Sequence, residues 1–172
     1  MLIGIKERRL HCAYRFCMCE PRSMQIRERA AGANVPSWEH FAHDADIGVR
    51  GWGATPDQAF VQAALAMTAV VTDLKLVKLT DTVAVECQAS SLDLLLYRWL
   101  NALVFEMATR GLLFGAFEVS IEGTRLMGVA RGEKVDRVRH APAVEVKGAT
   151  LTELAVVERR PGFWLAQCVV DV

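Results

Sequence analysis

The sequence predicts an α+β fold: two main helices packed on mixed or antiparallel β-sheet, built from strand–helix–strand units followed by a β-meander. Three observations predict it. Two segments carry apolar residues at helical spacing behind recognisable capping residues. The segments around them repeat apolar residues at every second position. The helical segments come early and the alternating ones cluster late, an order that favours α+β over a doubly wound parallel sheet.

The elements follow in chain order. Ile47–Trp52 reads as a strand, with Gly51 and Gly53 near its end. Thr55 then caps a helix, Pro56 suits its first position, and Gln58 completes a capping-box spacing. Phe60, Ala63, Ala64, Met67, Val70 and Val71 recur on one face, and the helix should stop near Asp73. Thr82–Gln88 alternates as a half-buried strand through Val83, Val85 and Cys87. Ser90 with Asp93 opens a second helix, whose stripe runs from Leu92 through Trp99 to Met107. Arg110 lies in its last turn, and Gly111 is placed to end it. Phe117, Val119 and Ile121 then alternate, and Glu122-Gly123-Thr124 turns the chain back through Leu126–Arg131. Gly132–Ala143 reads as a charged connection. Val144–Val146, Thr152–Val157 and Trp164–Val170 are further strands, the last two joined through Arg160-Pro161-Gly162.

The chain has 172 residues, enough for one domain with a substantial core. Hydrophobic residues at 52% and charged residues at 23% exclude a wholly disordered chain. No apolar run reaches the roughly 18 residues of a membrane span. Formal net charge is zero, which argues against broad electrostatic binding to nucleic acid. Residues 1–34 nonetheless hold seven Lys/Arg against three Asp/Glu, and the remainder thirteen against seventeen. We therefore read residues 1–36 as an N-terminal extension and residues 37–172 as a single domain, with Met24 an alternative start. His11, Cys12, Cys17 and Cys19 in the extension are either reduced thiols and a lone histidine or a zinc set without paired CxxC spacing. Five cysteines, an odd number, argue against a disulfide framework and for a reducing, cytoplasmic setting.

The chemistry-bearing residues lie at the two extremes of the domain. His43-Asp44-Ala45-Asp46 brings two carboxylates to the start of a strand, where they either cap a turn or bind a cation. Asp171 follows three apolar strand residues and stands beside Val172. It is either a solvated end or half of a hard-cation site in which carboxylates repel each other until a cation lies between them. Lys147 is either a solvated strand lysine or a partner contact. Arg131, Lys134, Arg137, Arg139 and His140 form a basic patch interleaved with Glu133 and Asp136, with no aromatics to stack bases. Cys87 and Cys168 read as buried strand cysteines. No GxSxG, Walker A or HExxH sequence is present, so nothing demands enzyme chemistry.

Taken together, these residues resemble the archease family. The resemblance is carried by His43-Asp44-Ala45-Asp46-Ile47-Gly48, Gly51-Trp52-Gly53-Ala54-Thr55, Gln58-Ala59-Phe60, Ala63–Met67 and Val71-Thr72-Asp73. It continues through Gly132-Glu133, His140 and Glu145–Thr150 to Val169-Val170-Asp171-Val172, spanning roughly residues 37–172. Four positions depart from the family pattern: Asp44 stands where Thr is frequent, Gly148 for Ala, Leu151 for an aromatic and Thr152 for His.

The resemblance implies a non-enzymatic activator of the GTP- and manganese-dependent RNA ligase that joins 3′-phosphate or cyclic-phosphate ends to 5′-hydroxyls. Such a partner promotes ligase guanylylation and multiple turnover in tRNA splicing or RNA repair, and meets RNA only through the ligase. It also implies a divalent-cation site, Ca²⁺ before Mg²⁺, at Asp46, Asp171 and Val172, with Asp44 and His43 as additional metal or partner contacts. Lys147 carries over as a partner-interaction residue. Neither membrane nor DNA is an expected partner. Two other classes stay open: a metal-dependent phosphoesterase using Asp44, Asp46 and Asp171, and a general chaperone or RNA-modification helper.

Overall fold

A computed structural model describes residues 35–172; the predicted features of the extension, His11, Cys12, Cys17, Cys19 and Met24, lie outside the described residues. The chain first makes a hairpin of β1 (Ser37–His43) and β2 (Asp46–Gly53), then helix α1 (Pro56–Val71). A single 3₁₀ turn (Leu74–Leu76) leads to β3 (Asp81–Gln88) and helix α2 (Leu92–Arg110). A second hairpin, β4 (Leu112–Glu122) and β5 (Arg125–Lys134), is followed by the one-turn helix α3 (Arg137–His140). The short β6 (Gly148–Ala149), β7 (Ala155–Arg160) and β8 (Phe163–Asp171) complete the fold. The described strands form two sheets, both antiparallel. One runs β1-β2-β8-β6 with β7 also on β8, and the other runs β3-β5-β4. The fold class is α+β, as predicted.

Both main helices begin where their capping residues dictate. The Thr55 side chain accepts from the Gln58 backbone N–H at 3.3 Å, and the Gln58 side chain answers by accepting from Ala54 N at 2.9 Å. The first bond satisfies a backbone N–H that the helix start leaves open, and the second ties the Gln58 side chain to the residue before the cap. In α2 the cap is Ser91, one residue later than predicted, accepting from Leu94 N at 3.3 Å. Asp93 is spent elsewhere: it accepts from the backbone N–H of Val156 and ties the start of α2 to β7. Gly111 ends α2 with a left-handed φ of 62°, which a glycine adopts without the Cβ clash other residues meet.

Each helix touches both sheets: α1 lies on β2 and β8 and also meets β4, and α2 meets β3, β4 and β5 and also β6 and β7. A Cβ on Gly51 would collide with the backbone of Ala59 and Ala63, so α1 lies directly on β2. Phe60, Ala63 and Met67 of α1 and Leu96, Trp99 and Leu103 of α2 are fully buried. The Trp99 ring meets Phe117 of β4 edge-on at 6.1 Å. Trp38, by contrast, is 37% exposed.

Four readings of the sequence change. β1 is a strand the sequence reading does not contain. The predicted 132–143 connection is partly ordered: its first residues continue β5, and Asp136 caps α3 by accepting from Val138 N and Arg139 N. Val144–Val146 alternates like a strand but pairs with nothing, because the chain there crosses the ends of α1 and α2 rather than a sheet edge. The predicted Thr152–Val157 strand is displaced to Ala155–Arg160, since Leu151–Glu153 is taken up by a turn with Glu153 at a φ of 52°.

Candidate functional site

The predicted site residues sit on strand ends that the sheet brings side by side. In the β1–β2 hairpin His43 stands opposite Asp46, across a two-residue turn. Asp44 occupies that turn with a φ of 45°, a left-handed conformation that aspartate tolerates better than most residues, and it is exposed. Between β2 and β8, Ile47 pairs with Val170, and the next step in this antiparallel register sets Asp46 across from Asp171. On the other side of β8, Asp171 stands opposite Gly148. His43, Asp46 and Asp171 therefore follow one another across three strands and share one face of the sheet.

Lys147 reaches this row from the β6 side. Its ammonium lies 3.6 Å from Asp171 Oδ1 and donates to the main-chain oxygen of Val172 at 2.9 Å. Its backbone N–H also donates to the Asp171 carbonyl at 2.9 Å. Both side chains of the ion pair are more than half exposed, so the pair contributes about 0–1 kcal/mol to stability. Asp46 and Asp171 remain like charges on neighbouring strands, an arrangement that costs stability without a counter-charge. One lysine supplies that charge to one side of the row.

Asn101, unmarked in the sequence, fixes the segment that carries Lys147. Its Nδ2 donates to the Ala149 carbonyl at 3.1 Å, and its Oδ1 accepts from Ala149 N at 3.1 Å. One amide on α2 thus holds both polar groups of one β6 residue. An asparagine inside a leucine-rich helical stripe signals a buried polar partner, and that is the trace it leaves in sequence.

The fit to a divalent cation can be judged from the donors. Two carboxylates and a main-chain oxygen are all hard ligands, suited to Ca²⁺ or Mg²⁺ rather than zinc. His43 Nδ1 is buried without a hydrogen-bond partner, an unused polar atom one strand from Asp46. Among the described residues no three His, Cys, Asp or Glu side chains converge. The set therefore offers two carboxylates at most. Ca²⁺ takes about six to eight oxygen ligands, so water or a partner's oxygens would complete it.

A second constellation gathers Arg139 and His140 of the basic patch. Glu133, at the end of β5, accepts from Arg139 through both oxygens at 2.8 and 2.6 Å, from the backbone of Lys78, and from His140 Nε2 at 3.2 Å. Asp136 N donates to His140 Nδ1, so the buried ring carries its proton on Nε2 and donates to Glu133. The paired guanidinium of Arg139, foremost, holds the Glu133 carboxyl at about 2, below its ordinary 4.5. Backbone donors from Arg139 and Val138 likewise lower Asp136. Arg139 thus serves as an internal clamp, where the sequence suggests a solvated charge. Elsewhere, burial pushes the Cys168 thiol up to about 12 and raises Cys87, which leaves both as neutral thiols near pH 7.

Residues 38–172 match the Archease protein family (MTH1598/TM1083). The chain belongs to the archease family. It is 37% identical over 139 residues to Protein archease of Pyrococcus furiosus, covering 78% of this chain and 98% of that protein. Against Protein archease of Methanopyrus kandleri the identity is 40%, with coverage of 78% and 99%. The solution structure of Methanobacterium thermoautotrophicum protein 1598 superposes with a TM-score of 0.70 at 31% identity, over 79% of this chain and 99% of that one. These alignments span 98% to 99% of the length of the relatives. No helix among the described residues is long and apolar enough to cross a membrane.

Proposed function

We propose that this archease-family protein is a non-enzymatic activator of a GTP-dependent RNA ligase that joins 3′-phosphate and 5′-hydroxyl ends in tRNA splicing or RNA repair. The observation that carries the reading is the opposition of Asp46 and Asp171 at one exposed sheet end, with Lys147 beside them. Partly exposed, like-charged carboxylates with one lysine for the two of them point to a ligand or a partner, because they lower stability without one.

Asp46, Asp171 and the main-chain oxygen of Val172 would hold a hard cation, Ca²⁺ before Mg²⁺. When bound, it would neutralise the opposed carboxylates and leave coordination positions open toward the ligase. Lys147 now stands against two of those three donors, so cation entry competes with its ammonium. The freed lysine would then be available to the ligase. Preferential binding to the guanylylation-competent ligase would shift the ligase toward that state. His43 would orient Asp46 or add a contact, and the exposed Asp44 would extend the acidic edge.

The test is multiple-turnover RNA joining by the cognate ligase with GTP, with and without this protein. Strong stimulation that vanishes in Asp46→Ala and Asp171→Ala supports the reading. Unchanged turnover with both substitutions contradicts it. Hydrolysis of small phosphate esters without the ligase would favour the phosphoesterase class instead. Stimulation of unrelated enzymes, independent of Asp171, would favour the chaperone class.

A further inference from the structure

We infer that the segment Val144–Val146, with the apolar cavity beneath it, is a docking groove for an extended segment of the partner ligase. The inference rests on the proposed ligase reading and names the surface that the ligase would occupy. Its first support is a disagreement between sequence and structure. Val144-Glu145-Val146 has the alternation and β-branched content of a strand, yet it belongs to no sheet. Among the described residues, no backbone or side-chain hydrogen bond is made by the peptide groups of these three residues. The chain on either side is tied: Ala143 N donates to the Val71 carbonyl, and Lys147 N to the Asp171 carbonyl, both at 2.9 Å. A short segment is thus anchored at both ends with its peptide groups unpaired among the described residues, exposed at Val144 and Glu145 and buried at Val146, which is the kind of edge that strand addition uses.

The second support is the cavity of about 700 Å³ along this segment, lined by Val71, Val104, Met107, Leu112, Val144 and Val146. It has room for aliphatic side chains of a partner. The third is charge. Arg137 and Glu145 both line the cavity, are exposed and have no ion-pair partner among the described residues, whereas the neighbouring Arg139 and Arg110 are both paired. Next to Arg137, Val138 is 93% exposed. The matching partner is an extended segment that pairs its backbone with Val144–Val146, inserts an aliphatic side chain and offers a carboxylate to Arg137. Val146 is followed in the chain by Lys147, which pairs with Asp171.

Hydrogen exchange of the full-length protein, alone and with the purified cognate RNA ligase, tests this. Slowing at the amides of Val144, Glu145 and Val146 by about tenfold or more on complex formation is expected, with Val144→Asp and Arg137→Glu each weakening ligase binding about tenfold or more at unchanged melting temperature. Protection elsewhere with these amides unchanged, or wild-type affinity in both variants, overturns the groove while the activator reading stands if Asp171→Ala still abolishes stimulation. Binding of single-stranded RNA alone that is lost in Arg137→Glu would assign the surface to nucleic acid and overturn the proposal. A wild-type protein that neither binds nor stimulates the ligase removes the activator reading, and the groove falls with it.

Discussion

Glu133 and Asp171 are both carboxylates at the end of a β-strand, and each faces a cation, yet they are held in opposite ways. Glu133 is almost buried, and its oxygens accept from a bidentate arginine, a backbone amide and a histidine. Asp171 is half exposed, meets one ammonium at 3.6 Å and stands across from another carboxylate. The first carboxylate has no remaining capacity for a ligand. The second has capacity and an unfavourable neighbour. The difference separates a charge used to hold the fold from a charge available for work, and the 135–147 connection runs from the one to the other.

The comparison can be broken first at its buried end. Arg139→Met leaves Glu133 with too few donors in a nearly dry site, and the melting temperature should fall by several degrees, the largest stability effect expected here. Thermal denaturation followed by circular dichroism measures it, and an unchanged midpoint would remove Glu133 from the fold's support. The same cluster sets an acid limit. A carboxyl lowered from 4.5 to about 2 in the folded state stabilises fully above 4.5 and loses that contribution as pH falls toward 2. Stability should therefore decline across that window, and Glu133→Gln should flatten the decline. Denaturant titrations at a series of acid pH values give the comparison.

Between the two ends lies Asn101. Asn101→Leu removes both bonds to Ala149 and leaves its peptide groups unpaired, a loss of about 1–3 kcal/mol. Because Ala149 sits two residues from Lys147, ligase stimulation should fall as well. Retained stimulation at reduced stability would show that β6 need not be held for the site to work. The smallest change belongs to the exposed end. Lys147→Met should move stability by no more than about 1 kcal/mol. Under the proposed cation binding it should nonetheless raise Ca²⁺ affinity in calorimetry, because the competing ammonium is gone. Weakened Ca²⁺ binding in this variant would count against that competition.

The buried parts of the fold were the legible ones. Thr55-Pro56 and the Ser-Ser-Leu-Asp start of α2 announce helices through local chemistry, and the apolar stripes behind them tell which face is covered. Asp46 and Asp171 could be singled out as residues, but their opposition depends on a β2–β8 register spanning more than a hundred positions, which no local pattern contains. Arg139 was unreadable for a similar reason: only the turn from β5 into α3 brings it back onto Glu133. β1 escaped because Ser-Trp-Glu-His-Phe-Ala-His places aromatic or histidine rings on both faces and so shows no apolar period. Val144–Val146 erred the other way. Its alternation is genuine, and what it lacks is a neighbouring strand within the described chain.

The most direct measurement pairs activity with stability in two variants, Asp171→Asn and Glu133→Gln. Multiple-turnover joining by the cognate ligase and the melting temperature are recorded for each. The account predicts that Asp171→Asn loses stimulation by about tenfold or more, equivalent to about 1.4 kcal/mol or more of coupling, with its melting temperature unchanged. Glu133→Gln should melt several degrees lower and still stimulate while folded. Full stimulation by Asp171→Asn, or its loss in a folded Glu133→Gln protein with Asp171→Asn unaffected, would contradict the division between the two carboxylates.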